Sequence, residues 1–113
     1  MDTSGKRDGL LRVATTITDG RAVVMEFSGE LDLSTVPVFR DALDEVLRDG
    51  VASVELDLSR LEFIDSSGVG AYVTVHRRAR ASGARLSVGA RSPLVDRVLQ
   101  LSGVEAALAV ESS

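Results

Sequence analysis

The sequence holds no cysteine, no tryptophan, one histidine and two prolines, and no apolar run approaches a membrane span. Without cysteine there is no disulfide, thiolate nucleophile, thiolate zinc site or iron–sulfur ligation, which fits a reducing cytoplasm. A spanning helix needs about 20 apolar residues. With the polar start MDTSGKRDG, that lack signals neither membrane insertion nor secretion, so a cytoplasmic protein with no membrane partner is expected. Three Phe and one Tyr leave the core to Val, Leu and Ala. A lone histidine among scattered carboxylates offers no zinc-like ligand set. Gly68 and Gly70 lack the third glycine of a dinucleotide fingerprint, and no phosphate-binding loop accompanies them, so no cofactor and no metal site are expected.

What is present is an ordinary globular balance, 113 residues of which 44% are hydrophobic and 27% charged. That length makes one domain, expected over 9–113 behind a flexible tail at 1–8. The net charge of −4 and isoelectric point near 4.9 would repel phosphate backbones, so nucleic acid is not an expected partner.

Along the chain, Leu11, Val13 and Ile17 share one face of a strand, and Asp19-Gly20 turns into a second strand with Val23, Met25 and Phe27 aligned. Gly29-Glu30-Leu31-Asp32 breaks the alternation. Ser34 or Thr35 then caps a helix with Pro37 in its first turn and Val36, Phe39, Leu43, Val46 and Leu47 inward. A third strand sets Val54, Leu56 and Leu58 against Ser53, Glu55 and Asp57. A helix from about Asp65 to Ser82 carries Val69, Tyr72, Val73, His76 and Ala79 inward. Its end gathers Arg77, Arg78 and Arg80, read as dipole partners and solvated charge. Leu86 and Val88 mark a fourth strand, Ser92-Pro93 opens a third helix with Val95, Val98 and Leu99 inward, Gly103 closes it, and 108–110 offer a short last strand. The order ββαβαβα predicts an α/β domain with a mixed, mostly parallel sheet of four to five strands. Alternating rather than continuously apolar strands predict helices mainly on one face.

The stretch richest in chemistry is Phe63-Ile64-Asp65-Ser66-Ser67-Gly68-Val69-Gly70. One reading is a helix cap, with Asp65 or a serine accepting backbone N–H bonds and the glycines easing helix packing. The other is a phosphoserine site, because a helix start tolerates a dianion and glycines admit a partner's backbone.

This segment, with Phe27-Ser28-Gly29-Glu30-Leu31-Asp32, Leu56-Asp57-Leu58 and Leu101-Ser102-Gly103-Val104, resembles the STAS domains of bacterial anti-sigma factor antagonists across nearly the whole chain. The resemblance implies a non-enzymatic switch. Unphosphorylated, the domain would bind an anti-sigma factor with serine kinase activity and free a sigma factor. Phosphorylation of Ser66, with Ser67 as the alternative, would release it until a metal-dependent serine phosphatase resets the cycle. Glu30, Asp32, Asp65, Ser66, Ser67, Gly68, Val69 and Gly70 would form the partner-binding surface. Val69 stands where the family often has leucine.

Two rivals remain. A serine nucleophile fails on partners, because His76 lies ten residues on in the same helix, about 15 Å away. Glu30 and Asp32 read more simply as capping or solvated loop acids than as catalytic carboxylates or magnesium ligands. A STAS module without the switch, serving as an adaptor or small-ligand sensor, is the second reading.

Overall fold

The protein, seen as a computed structural model, is described over residues 10–111; the expected tail at 1–8 lies outside them. Strands β1 (Leu11–Asp19) and β2 (Ala22–Leu31) form an antiparallel hairpin. Helix α1 (Val36–Arg48) carries the chain to β3 (Ser53–Ile64), parallel to β2, and α2 (Ser66–Ala81) to β4 (Arg85–Arg91), parallel to β3. Helices α3 (Pro93–Ser102) and α4 (Val104–Glu111) follow. The sheet order is β1-β2-β3-β4. The expected single α/β domain, with a mixed sheet and its helices on one face, is what the chain forms.

The core follows the alternation. Val23, Met25 and Phe27 of β2 and Val54, Leu56 and Leu58 of β3 are buried against Phe39 and Leu43 of α1 and Tyr72 and Val75 of α2. Phe27 and Phe39 meet at a ring-centroid separation of 5.0 Å. Each such side chain contributes roughly 1.5–3 kcal/mol by leaving water. The other face of the sheet carries Glu26, Glu55, Asp57 and Ser87, aligned by the strand register.

Several expectations are corrected. Residues 108–110 belong to α4, not a strand: Ala106, Ala107 and Ala109 favour helix, and only Leu108 is buried. Val13 and Ile17 lie on the core side opposite Phe27 and Val23, yet Ile17 is 71% exposed. Helix α1 sits over β2, so the edge strand overhangs it. The alternation does not end at Gly29. Strand β2 runs on to Leu31, and β3 reaches Ile64 with its register shifted where Asp57 accepts from the Ser59 N–H at 2.9 Å. In α2 the inward stripe is Gly68, Ala71, Tyr72, Val75 and Ala79, with Val69, Val73 and His76 only half-buried.

Candidate functional site

Two parallel strands ending side by side build the site. Leu31 of β2 pairs with Ile64 of β3, and the Asp65 N–H donates to the Leu31 carbonyl at 3.2 Å. The loop after each strand therefore opens on the same edge of the sheet.

In the first loop Asp32 folds back on its own chain. Its carboxylate accepts from the Ser34 N–H at 3.0 Å, the Ser34 hydroxyl at 2.7 Å and the Thr35 N–H at 3.2 Å. The Ser34 hydroxyl above all holds the Asp32 carboxyl below the usual carboxylate range. Thr35 takes the cap position of α1, but its hydroxyl turns back to the Glu30 carbonyl at 2.8 Å and caps nothing. The expected cap is thus replaced by an Asx-type turn centred on Asp32. Glu30 is 3% exposed. It shapes the loop from within, whereas Asp32 stays half-buried at the rim.

In the second loop Asp65 caps α2, accepting from the Gly68 N–H at 3.0 Å. The cap reading is therefore correct for Asp65. It leaves both serines unencumbered: among the described residues neither hydroxyl has a hydrogen-bond partner. Ser66 is the first residue of α2 and is exposed; Ser67 is half-buried. The two glycines do different jobs. A Cβ on Gly68 would stand 2.6 Å from the Leu31 carbonyl oxygen and 2.8 Å from Ile64 Cγ1, so Gly68 lets α2 pack on the strand ends. A Cβ on Gly70 would meet nothing within 4 Å, so this exposed position is open to an incoming backbone.

Beside Ser66 lies a shallow hollow of about 390 Å³ whose walls include Ile64, Val69, Val98, Leu101 and Ser102. Leu101 is 77% exposed there, and Leu33, in the neighbouring loop, 75%. In the sequence Leu33 was not singled out, and Leu101 was named only within the Leu101-Ser102-Gly103-Val104 match, not as a docking residue. The available signal was an apolar residue outside the inward stripe of its helix, or isolated between loop polar residues.

At the other end of α2 the polar groups are spent internally. Tyr72 donates to Glu105 of α4 at 2.8 Å, and Arg91 of β4 grips the same carboxylate with two 2.8 Å bonds. Arg77 and Arg80 share Glu111, and Arg78 pairs with Asp44 of α1. The three arginines are inter-helix ties, more than the solvated dipole partners expected. His76 packs on Tyr72 with ring centroids 4.6 Å apart, three turns along α2 from Ser66.

A family model described as Mlab, STAS domain, matches residues 14–110. The chain belongs to the STAS domain family. Among the relatives of this STAS domain is the anti-sigma F factor antagonist of Paenibacillus polymyxa, 32% identical over 83 residues, 73% of this chain and 71% of that one. An anti-sigma factor antagonist from Mycobacterium paratuberculosis superposes with a TM-score of 0.76 at 26% identity, covering 87% of this chain and 82% of the other. SpoIIAA in its unphosphorylated form gives 0.69 at 30% identity over 81% of each chain. The phosphorylated form of SpoIIAA, from Bacillus, gives 0.65 at 28% identity over 84% and 86%. These relatives of the STAS domain are named as antagonists, that is, as regulatory proteins. Among its described residues, no helix is long and apolar enough to cross a membrane.

Proposed function

We propose that this STAS domain is an anti-sigma factor antagonist whose docking face is centred on Ser66. Its free form binds an anti-sigma factor with serine kinase activity and so frees a sigma factor. Phosphorylation ends the complex, and a metal-dependent serine phosphatase restores it. The observation that carries the reading is the exposed, unpartnered Ser66 hydroxyl at the start of α2, flanked by the apolar hollow of Val69, Val98 and Leu101 and by open Gly70. The likeness to SpoIIAA, solved in phosphorylated and unphosphorylated forms, supports the same cycle.

The chemistry belongs to the kinase. The Ser66 oxygen attacks the γ-phosphorus of ATP, the bond to ADP breaks, and a kinase base takes the hydroxyl proton. The helix start receives the product well, because the free N–H groups of the first turn and the dipole favour a dianion. Roughly −1.5 to −2 charges then stand in an apolar docking face, and removing them from water opposes binding. Asp65 and Asp32 frame this face, Ser67, Val69 and Gly70 extend it, and Gly68 and Glu30 support it from behind.

The test is an affinity capture from the native cytoplasm with wild-type, Ser66→Ala and Ser66→Asp proteins, read by mass spectrometry. Wild type and Ser66→Ala should recover an anti-sigma kinase and Ser66→Asp should not, with phosphate on Ser66 of wild type only. Phosphate on Ser67 in the Ser66→Ala protein would move the switch by one residue. Equal recovery of transport or scaffold proteins by all three would favour the adaptor reading.

A further inference from the structure

Between α2, β4 and α4 lies a cavity of about 330 Å³, lined among others by Tyr72, His76, Arg80, Arg85, Leu86 and Leu108. Its size lies within the range of small-molecule pockets, about 300–1,000 Å³. The walls are apolar and aromatic, and the charges around them are unequally committed. Glu105, the carboxylate lining it, has its oxygens taken by Arg91 and Tyr72. Arg80 shares Glu111 with Arg77, at 3.4 Å. Arg85 has no side-chain partner among the described residues. Nε2 of His76 is shielded from solvent and hydrogen-bonded to nothing. An unmade bond at a buried polar atom is costly, and an unpaired guanidinium over an apolar hollow is half of a carboxylate site.

We propose that this cavity binds a small organic carboxylate with a compact apolar body, its carboxylate held by Arg85 and the edge of His76 and its body lying on Tyr72, Leu86 and Leu108. A guanidinium offers a carboxylate two parallel N–H bonds, and a slight tilt of the imidazole turns Nε2 into the cavity as a third contact. The apolar walls select for the body. They disfavour a bare inorganic anion, which leaves most of the space unfilled and its own charge poorly solvated. The site lies about 15 Å along α2 from Ser66, so it stands or falls separately from the docking face.

The charges near the ring are Glu105 from α4, itself held by Arg91 of β4, and Arg80 on α2, with Arg85 of β4 lining the same cavity. Burial lowers the His76 pKa, with Glu105 opposing and Arg80 adding to that effect. A bound carboxylate favours the imidazolium. Binding therefore takes up a proton and strengthens as the pH falls.

The test is an NMR titration of the intact protein with benzoate and isovalerate, using benzyl alcohol and inorganic phosphate as controls. The signals followed are the His76 ring and the amides of 85–88 and 104–109. The carboxylates should give saturable shifts there and the controls none. Arg85→Ala, at an exposed position, should weaken benzoate about tenfold with the thermal midpoint unchanged. Wild type should bind benzoate more tightly near pH 6 than near pH 8, and His76→Phe should flatten that dependence. No saturable shift with either carboxylate, equal shifts with benzyl alcohol or phosphate, or undiminished binding by Arg85→Ala would each overturn the proposal. The Arg85→Ala and wild-type pH measurements decide the matter even if His76→Phe does not fold.

Discussion

At the first turn of α2, Ser66 stands exposed with its hydroxyl unpaired, beside Val69, Val98 and Leu101 and an open Gly70. Three turns later the same helix has every arginine engaged: Arg77 and Arg80 with Glu111, Arg78 with Asp44. Tyr72, between them, is tied to Glu105. One end leaves apolar area and a hydroxyl facing water, and the other commits its arginines to carboxylates within the chain. The difference separates the surface proposed for a partner from a surface used to fasten α1 and α4 onto the body. Under the proposed switch, a phosphate at Ser66 would act without unfolding anything, because little of the internal bonding passes through that residue.

The sharpest test of this division compares the two glycines. Gly68→Ala forces a methyl to 2.6 Å from the Leu31 carbonyl oxygen, a backbone atom that cannot swing aside. Unfolding free energy by urea titration should fall by about 2–3 kcal/mol, in the range of overpacked cores. Gly70→Ala meets nothing within 4 Å and should leave stability unchanged or raise it by roughly 0.5–1 kcal/mol through helix propensity, while weakening the kinase complex. Equal stability losses would erase the distinction between support and docking.

How far this was legible in the sequence depends on range. Local signals carried well: the turn at Asp19-Gly20, Ser92-Pro93 opening α3, Gly103 closing it at φ 72°, and Asp65 as a cap all rest on backbone chemistry within four residues. The docking candidates were legible as a motif, yet the division of labour between Gly68 and Gly70 was not. It depends on which glycine faces Leu31, a contact spanning 37 residues. The ties from α2 to Asp44 and Glu111 were hidden for the same reason. The alanine-rich stretch after Gly103 has little periodicity to choose helix over strand, and contact with Tyr72 and Arg91 makes the choice.

Asp65 stands where the two roles meet, because its carboxylate begins the helix that carries Ser66 in its first turn. Asp65→Ala should cost about 1 kcal/mol, and Asp65→Asn, which keeps an acceptor for the Gly68 N–H, should restore most of it. If the cap also positions Ser66, the initial rate of phosphorylation should fall in the alanine variant and recover in the asparagine one. An alanine variant that loses stability but is phosphorylated at the wild-type rate would confine Asp65 to the structural side.

At the fastened end, acid should loosen α4 through Glu105. Hydrogen bonds from Arg91, ahead of that from Tyr72, hold its pKa below the ordinary 4.5. A depressed carboxylate pKa contributes stability fully above the unfolded value and loses it as pH falls through the folded one. The α4 amides should therefore lose hydrogen-exchange protection below about pH 4.5 before β2 and β3 do. Glu105→Gln should show the weakened protection already at pH 7, by less than about 1 kcal/mol, since the side chain is 35% exposed and water screens the pair.

The smallest effect belongs to the tie between α2 and α1. Arg78 and Asp44 form a close pair, but their side chains are 47% and 29% exposed, so water and salt screen them. A double-mutant cycle with Arg78→Ala and Asp44→Ala should give a small coupling that shrinks in 1 M salt. A larger, salt-resistant coupling would mean the helices are locked together, and strain at the Ser66 end would then be felt along α2. A weak coupling leaves the docking end free to meet a partner or carry a phosphate while α1 stays in place. That independence is what the proposed switching by charge would require.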